Sequence, residues 1–274
     1  MNGQQITNEE YHSLPSISAT GLKTFLKSPA HFKAQKGNNE DTPAFRAGRM
    51  IHSGVLEPET FYDHYAVFEG DRRTTVGKAD WQAIMDEGLE PIKTDELDIV
   101  VGCQIATQGM FPVGGKAELS FSTVIDGVEC RCRPDWLVDD QGVYRIYDLK
   151  TCQSVEGIDS LFYKYGYHIQ QVFYCMVLES LGMTVDREMQ FIFVEKKPPF
   201  DVVVRTMDMA LYDATEVIVR NALERYKACL ESDQWPGIEP ERTLKQAVCP
   251  SWIESGLMPD LDMSEFYGDD NAAC

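Results

Sequence analysis

The middle of the chain switches from helical to strand periodicity and doubles back twice, and this constrains the fold more than any other stretch. Lys116–Ile125 reads as a strand, Asp126-Gly127 as a two-residue hairpin turn and Val128–Arg133 as the returning strand. Asp139-Asp140-Gln141-Gly142 marks a second turn, and Val143–Leu149 is a third strand that ends in polar residues. Helical patterns flank this region. Ser18 caps a helix whose Leu22, Phe25 and Leu26 share one face, and Ser28-Pro29 breaks or restarts it. Residues 37–43 read as a polar loop and 57–77 as irregular connection. Ala44–Leu56, Lys78–Asp86 and Thr94–Gln108 read as helices, the last with Leu97, Val100, Val101 and Ile105 as its apolar positions. Downstream, Ser160–Leu181 reads as one long helix closed by Gly182, Glu188–Val194 and Asp201–Thr206 as a strand pair, and Asp208–Glu231 as an amphipathic helix. The expected fold class is α/β: a small mixed central sheet flanked by helices, with an N-terminal helical region in front of it.

A chain of 274 residues accommodates one large domain. We assign it to residues 1–231, with a helical part over about 11–110 and a core over about 111–231. Residues 232–274 form an extension with an acidic tail. The eight cysteines contain no CxxC pair, and a core of this size needs neither disulfides nor a structural metal. Cys130-x-Cys132 puts two thiols on one strand face, which reduced, buried thiols explain. No apolar run approaches the roughly 20 residues of a membrane span, and the first residues lack the basic and apolar regions of a leader, so the expected compartment is the cytoplasm.

The chemistry-bearing stretch is Arg133-Pro134-Asp135-Trp136 followed, across the second turn, by Tyr147-Asp148-Leu149-Lys150-Thr151. Residues two apart on a strand share a face, so Asp148 and Lys150 project together, and the hairpin brings Asp135 alongside. Converging carboxylates repel unless a cation lies between them. Oxygen ligands of this kind suit Mg²⁺, with Mn²⁺ as a substitute. A lysine at such a site can orient water and neutralise charge developing on a phosphoryl group, which is machinery for phosphodiester hydrolysis. Gly48 and His52, one helical turn apart, place a residue without a side chain below an imidazole.

These residues carry a resemblance. Pro134-Asp135 with Asp148-Leu149-Lys150 resembles the core of PD-(D/E)xK nucleases, in the form of the RecB-like exonuclease group. Four further pieces follow that group's order: Ser18 to Phe32 with Ser28-Pro29, Gly48-Arg49-Met50-Ile51-His52, Glu118 on an acidic strand position, and Gln170-Gln171-Val172-Phe173-Tyr174. The whole run over roughly residues 11–230 is most similar to the nuclease domains of RecE-type prophage exonucleases. The resemblance implies His52, Asp135 and Asp148 as metal ligands, with the Leu149 carbonyl as a further one, and Lys150 as the catalytic lysine. It places Glu118 near the metal, and Gln170, Tyr174 and Arg49 as supporting or DNA-contacting groups. Ser28 stands where some relatives have an iron–sulfur cysteine, so no cluster is expected.

The activity so implied is Mg²⁺-dependent exonucleolytic digestion of linear double-stranded DNA from its ends, 5′→3′. Its products would be 5′-mononucleotides and a 3′ single-stranded tail for recombination. A toroidal homo-oligomer such as a tetramer, and a single-strand annealing recombinase as partner, are implied in the same way. The alternatives are a non-catalytic DNA-end or protein-binding module on this fold, an endonuclease, or a single-strand-preferring nuclease. The net charge of −19 counts against broad binding to nucleic acid. Lys23, Lys27, Lys33, Lys36, Arg46 and Arg49 outnumber Glu40 and Asp41 in Ser16–Met50, however, and these basic groups are expected to line a channel.

Overall fold

A computed structural model describes residues 3–35 and 42–244. The tail from Pro250 and the first polar loop therefore lie almost wholly outside the described residues. The N-terminal half comprises α1 (Asn8–Ser13), α2 (Ala19–Lys27), α3 (Pro29–Gln35), α4 (Pro43–Leu56), β1 (Tyr65–Val67), α5 (Thr75–Asp86), β2 (Glu90–Ile92) and α6 (Thr94–Ala106). The strand region comprises β3 (Lys116–Ala117), β4 (Phe121–Ile125), β5 (Val128–Cys132), β6 (Trp136–Asp140) and β7 (Val143–Cys152). It is followed by α7 (Ile158–Lys164), α8 (Tyr167–Ser180), β8 (Thr184–Val185), β9 (Gln190–Glu195), β10 (Val202–Arg205) and α9 (Tyr212–Ser232).

The central sheet runs β10-β9-β7-β6-β3, with β8 pairing the start of β7. The β7–β9 pair is parallel and its crossover carries α8, whereas β6–β7, β3–β6 and β9–β10 are antiparallel. Alternation along β7 and β9 divides the core in two. Ile146, Cys152, Phe191 and Phe193 pack with α2, α8 and α9, and Tyr147, Leu149, Ile192 and Val194 pack with α4 and α6. The N-terminal helices therefore cover both faces of the sheet. No helix among the described residues is long and apolar enough to cross a membrane.

The expected turns form as read. Asp126 and Gly127 both take positive φ, 51° and 85°, as a two-residue hairpin requires. Ser18 accepts from the Gly21 amide at 3.2 Å, and Ser28 starts α3 by accepting from the His31 amide.

Four expectations are corrected. Lys116–Ile125 is not one strand: Glu118 takes φ +51°, so β3 stays in the central sheet while β4 leaves to pair with β5. Ser160–Leu181 is two helices, because Gly166 at φ +70° ends one and begins the other. The 57–77 stretch and residues 90–92 contribute β1 and β2, a short parallel pair that local pattern did not signal. On α6, Val100 is buried but Val101 and Ile105 face solvent.

Candidate active site

Pro134 has no amide proton to offer a ladder, so β6 can begin only after it. The register pairs Trp136 with Tyr147, and beyond that point β7 runs on without β6, held by β9. The amide of Leu149 thus loses its strand partner on one side and donates instead to Asp135 Oδ2 at 2.8 Å. Glu118 lies where the chain crosses between the sheets, and its amide donates to the Asp135 carbonyl at 3.2 Å. Two crossing points at one level bring the two carboxyl groups together. From the opposite face, α4 delivers His52, whose Nδ1 lies 3.5 Å from Asp135 Oδ2. One ligand atom from each of His52, Glu118 and Asp135 lies within 4.8 Å of the other two.

Asp148 occupies the neighbouring position, fully buried. Its Oδ2 accepts from Gln170 Nε2 at 2.7 Å, and its Oδ1 contacts the Lys150 ammonium. The alternation expected of β7 therefore places Asp148 and Lys150 side by side, and α8 supplies the hydrogen bond that orients the carboxylate. Tyr174, one turn further along α8, donates to the Arg133 carbonyl at 3.3 Å. Arg133 in turn pairs with Glu118 at 2.8 Å. Arg133 stands directly before Pro134-Asp135 in the chemistry-bearing stretch, and no sequence pattern gave it a role of its own. Arg49, one turn before His52 on α4, lies 3.9 Å from Glu90 and bonds Tyr65.

The electrostatics suit a divalent cation. Burial, with Asp135 adding repulsion, pushes the Glu118 carboxyl up to about 8 against the pull of Arg133. Burial and Asp135 raise Asp148 to about 6, and burial raises Asp135 as well. Burial, reinforced by Lys150, lowers His52 to about 4, so its imidazole is neutral and free to ligate at neutral pH. Lys150 is held above lysine's ordinary value: burial opposes its charge, but Asp148 and Asp135 outweigh that cost. Carboxylates that repel one another, beside a neutral imidazole, form a hard donor set that a cation such as Mg²⁺ or Mn²⁺ would relieve.

Gln170 is the group whose loss separates orientation from charge. Gln170→Ala is expected to lower metal affinity or turnover by roughly 10- to 100-fold while Lys150 and the carboxylates remain, as removal of an orienting partner does elsewhere. Metal titration of the variant beside the parent checks this.

The six described cysteines are buried and free of disulfides, and burial raises the Cys130 thiol to about 12 and Cys132 well above its ordinary value. Cys130 and Cys132 are core residues of the α2–α8–α9 side.

No curated protein matches this chain in sequence. Among solved structures, the protein named "Putative exonuclease" from Eubacterium rectale superposes with a TM-score of 0.61 at 16% identity, covering 92% of this chain and 99% of its own. A phage related exonuclease from Haemophilus somnus 129PT aligns with a TM-score of 0.34 at 15% identity, over 80% of this chain and 96% of its own. The first of these likenesses shows a shared fold. Residues 18–242 match the family described as a PDDEXK-like domain of unknown function (DUF3799), a span that contains every residue of the cluster above. The chain belongs to this PDDEXK-like family.

Proposed function

We propose that the protein is a divalent-metal-dependent deoxyribonuclease that degrades linear double-stranded DNA from its ends. The observation that carries this reading is the pairing of Lys150 with Asp148 beside the His52, Glu118 and Asp135 donor set, where β6 and β7 part. His52, Glu118, Asp135 and Asp148, with the Leu149 carbonyl, would hold the cation. When bound, it supplies Lewis-acid polarisation of the phosphoryl oxygens and charge neutralisation.

The chain's own groups do the rest. Lys150, kept protonated by its carboxylate neighbours, orients the attacking water and stabilises negative charge as it grows on the phosphoryl oxygens. Gln170 keeps Asp148 turned toward the site, and Arg133 does the same for Glu118. Water attacks phosphorus and gives up a proton, and the P–O3′ bond breaks with the departing O3′ taking up a proton. The phosphate stays on the 5′ carbon of the nucleotide next to the released one, which leaves a new 5′-phosphate on the shortened strand. By resemblance to RecE-type enzymes, we extend the reading to 5′→3′ polarity, a 3′ single-stranded tail, a toroidal homo-oligomer and an annealing recombinase as partner.

Incubation with linear and closed circular duplex in Mg²⁺ tests the end requirement. Linear DNA is expected to disappear in an EDTA-sensitive way while the circle persists. Nicking or linearisation of the circle would replace the exonuclease reading with an endonuclease. Duplexes labelled at the 5′ or the 3′ end then report the polarity.

A further inference from the structure

Within Ser16–Met50, Lys33 pairs with Asp233, Arg46 with Glu90 and Glu96, and Arg49 lies beside Glu90, so these basic groups are matched by acids. The chain ahead of them reaches the candidate site by another route, through Arg133. It is tied into the strand region at two places. The Gln4 amide donates to the Ser120 carbonyl at 3.0 Å, and the Ser120 amide donates back to the Gln4 carbonyl at 2.9 Å. The Ile17 amide donates to the Glu129 carbonyl and the Arg131 amide to the Ile17 carbonyl, both at 2.8 Å. Ser120 stands two residues after Glu118, and Arg131 two residues before Arg133. The segment is therefore pinned beside each partner of the Glu118–Arg133 ion pair.

Between the two ties, α1 presents one face to that pair. A capping box holds this short helix: Thr7 accepts from the Glu10 amide at 3.1 Å, and Glu10 accepts from the Thr7 amide at 2.8 Å. Asn8 and Tyr11, three residues apart, share a face. Asn8 Oδ1 accepts from Arg133 Nη2 at 2.7 Å, and the Arg133 guanidinium carbon lies 4.3 Å from the centroid of the buried Tyr11 ring. A guanidinium on a long, flexible stem can position a carboxylate only when it is itself held. Here Nε lies 2.8 Å from Glu118 Oε2, an outer nitrogen goes to Asn8 and the ring covers a face, leaving the side chain 16% exposed. Glu118 needs such a hold, because the Asp135 carboxyl repels it.

We propose that residues 3–17 form a strap that sets the metal site, with Tyr11 and Asn8 as positioning residues that act on the Glu118 carboxylate through Arg133. The inference rests on the deoxyribonuclease reading and adds to it a role for the segment ahead of α2. Tyr11 supports the guanidinium on its face and Asn8 at its edge, so Glu118 already stands near His52 and Asp135 when a cation arrives. With either support removed, Arg133 and Glu118 have more conformations to lose, and the cation must bring the carboxylate into place itself. Metal affinity then falls, whereas the rate with the site filled does not.

Isothermal titration of the metal-free protein with Mn²⁺ tests it. Tyr11→Leu is expected to weaken binding about tenfold, as loss of a group that orients a metal ligand does. Asn8→Ala is expected to weaken it about threefold, as loss of one modest hydrogen bond does. Tyr11→Phe keeps the ring and Asn8→Asp keeps the acceptor, and both are expected to bind as the parent does. Digestion of linear duplex over a Mg²⁺ series should show the same split, with a raised half-saturating concentration and a saturated rate within about twofold of the parent. A purely structural role predicts the reverse, fewer binding sites per chain and a lower saturated rate at unchanged affinity. That result, or parent-like affinity in folded Tyr11→Leu and Asn8→Ala, overturns the strap and, with the parent still cutting linear DNA, leaves the nuclease reading standing. Asn8→Ala, at an exposed position, decides the matter should Tyr11→Leu fold poorly. Weaker Mn²⁺ binding by the variants of a parent that cuts no DNA supports the strap and overturns the nuclease reading. A parent that neither binds Mn²⁺ nor cuts DNA overturns both.

Discussion

Lys150→Ala and Asp148→Asn are each expected to remove EDTA-sensitive digestion of linear duplex by a factor of about 10²–10⁴, the range for losing a positioned charge or proton-handling group. The two substitutions should part company in stability, which guards against a trivial loss of fold. Lys150→Ala leaves Asp148 fully buried, with Asp135 repelling it and its own cation gone. Its melting temperature in EDTA is therefore expected to fall. Asp148→Asn removes one of the repelling carboxyl groups and keeps the Gln170 neighbour, so its melting temperature should fall less. If either folded variant digests DNA at the parent rate, the pair is a structural ion pair and the catalytic assignment is wrong. The non-catalytic reading would instead show DNA binding that persists in EDTA, and no product in Mg²⁺ from the parent itself.

The second large effect is on pH and metal together. In the metal-free protein Glu118 titrates near 8 and Asp148 near 6, both raised from their ordinary values. The native state therefore binds more protons than the unfolded chain until the pH passes these values, and stability falls as pH rises through them. His52, lowered to about 4 from 6.5, acts with the opposite sign, but only below about pH 6.5. Lys23, lowered to about 8 from 10.5, acts with that same opposite sign only above about pH 8. Between pH 6.5 and 8 the carboxyl groups act alone. In EDTA the melting temperature is expected to drop across that window by on the order of 5 °C. A bound cation favours the ionised carboxylates, so Mg²⁺ should raise the melting temperature more at pH 8 than at pH 6.5. Scanning fluorimetry at the two pH values, with and without Mg²⁺, decides it. A flat profile in EDTA, or an equal Mg²⁺ shift at both pH values, would show that these groups do not share a cation site.

Much of the site could be read in the chain because its chemistry rests on short-range geometry. Asp148 and Lys150 are two residues apart on one strand, and alternation alone puts them together. Asp126-Gly127 and Gln141-Gly142 take the positive φ that tight hairpins need, so both reversals were visible. The failures have one character. The break at Glu118 is a non-glycine residue at positive φ, held there because β3 and β4 belong to different sheets. The break at Gly166 interrupts an aromatic run in which Phe162 and Tyr167 are both buried, so the pattern reads as continuous helix. The exposed Val101 and Ile105 follow an apolar pattern that the packing of α4 on α6 does not use.

By itself, then, the sequence determined an α/β class, the strand-borne carboxylate–lysine pair and the turns that align Asp135 with it, since each depends on neighbours a few residues apart. Only the tertiary structure decided that Glu118 and His52 close on Asp135, that Arg49 comes within 3.9 Å of Glu90, and that Lys23 and Lys150 both reach the Tyr167 ring, at 5.5 and 5.7 Å from its centroid. Those meetings join residues tens to more than a hundred positions apart. They are set by where the sheets part and how α2, α4 and α8 pack around the opening, which no local pattern encodes.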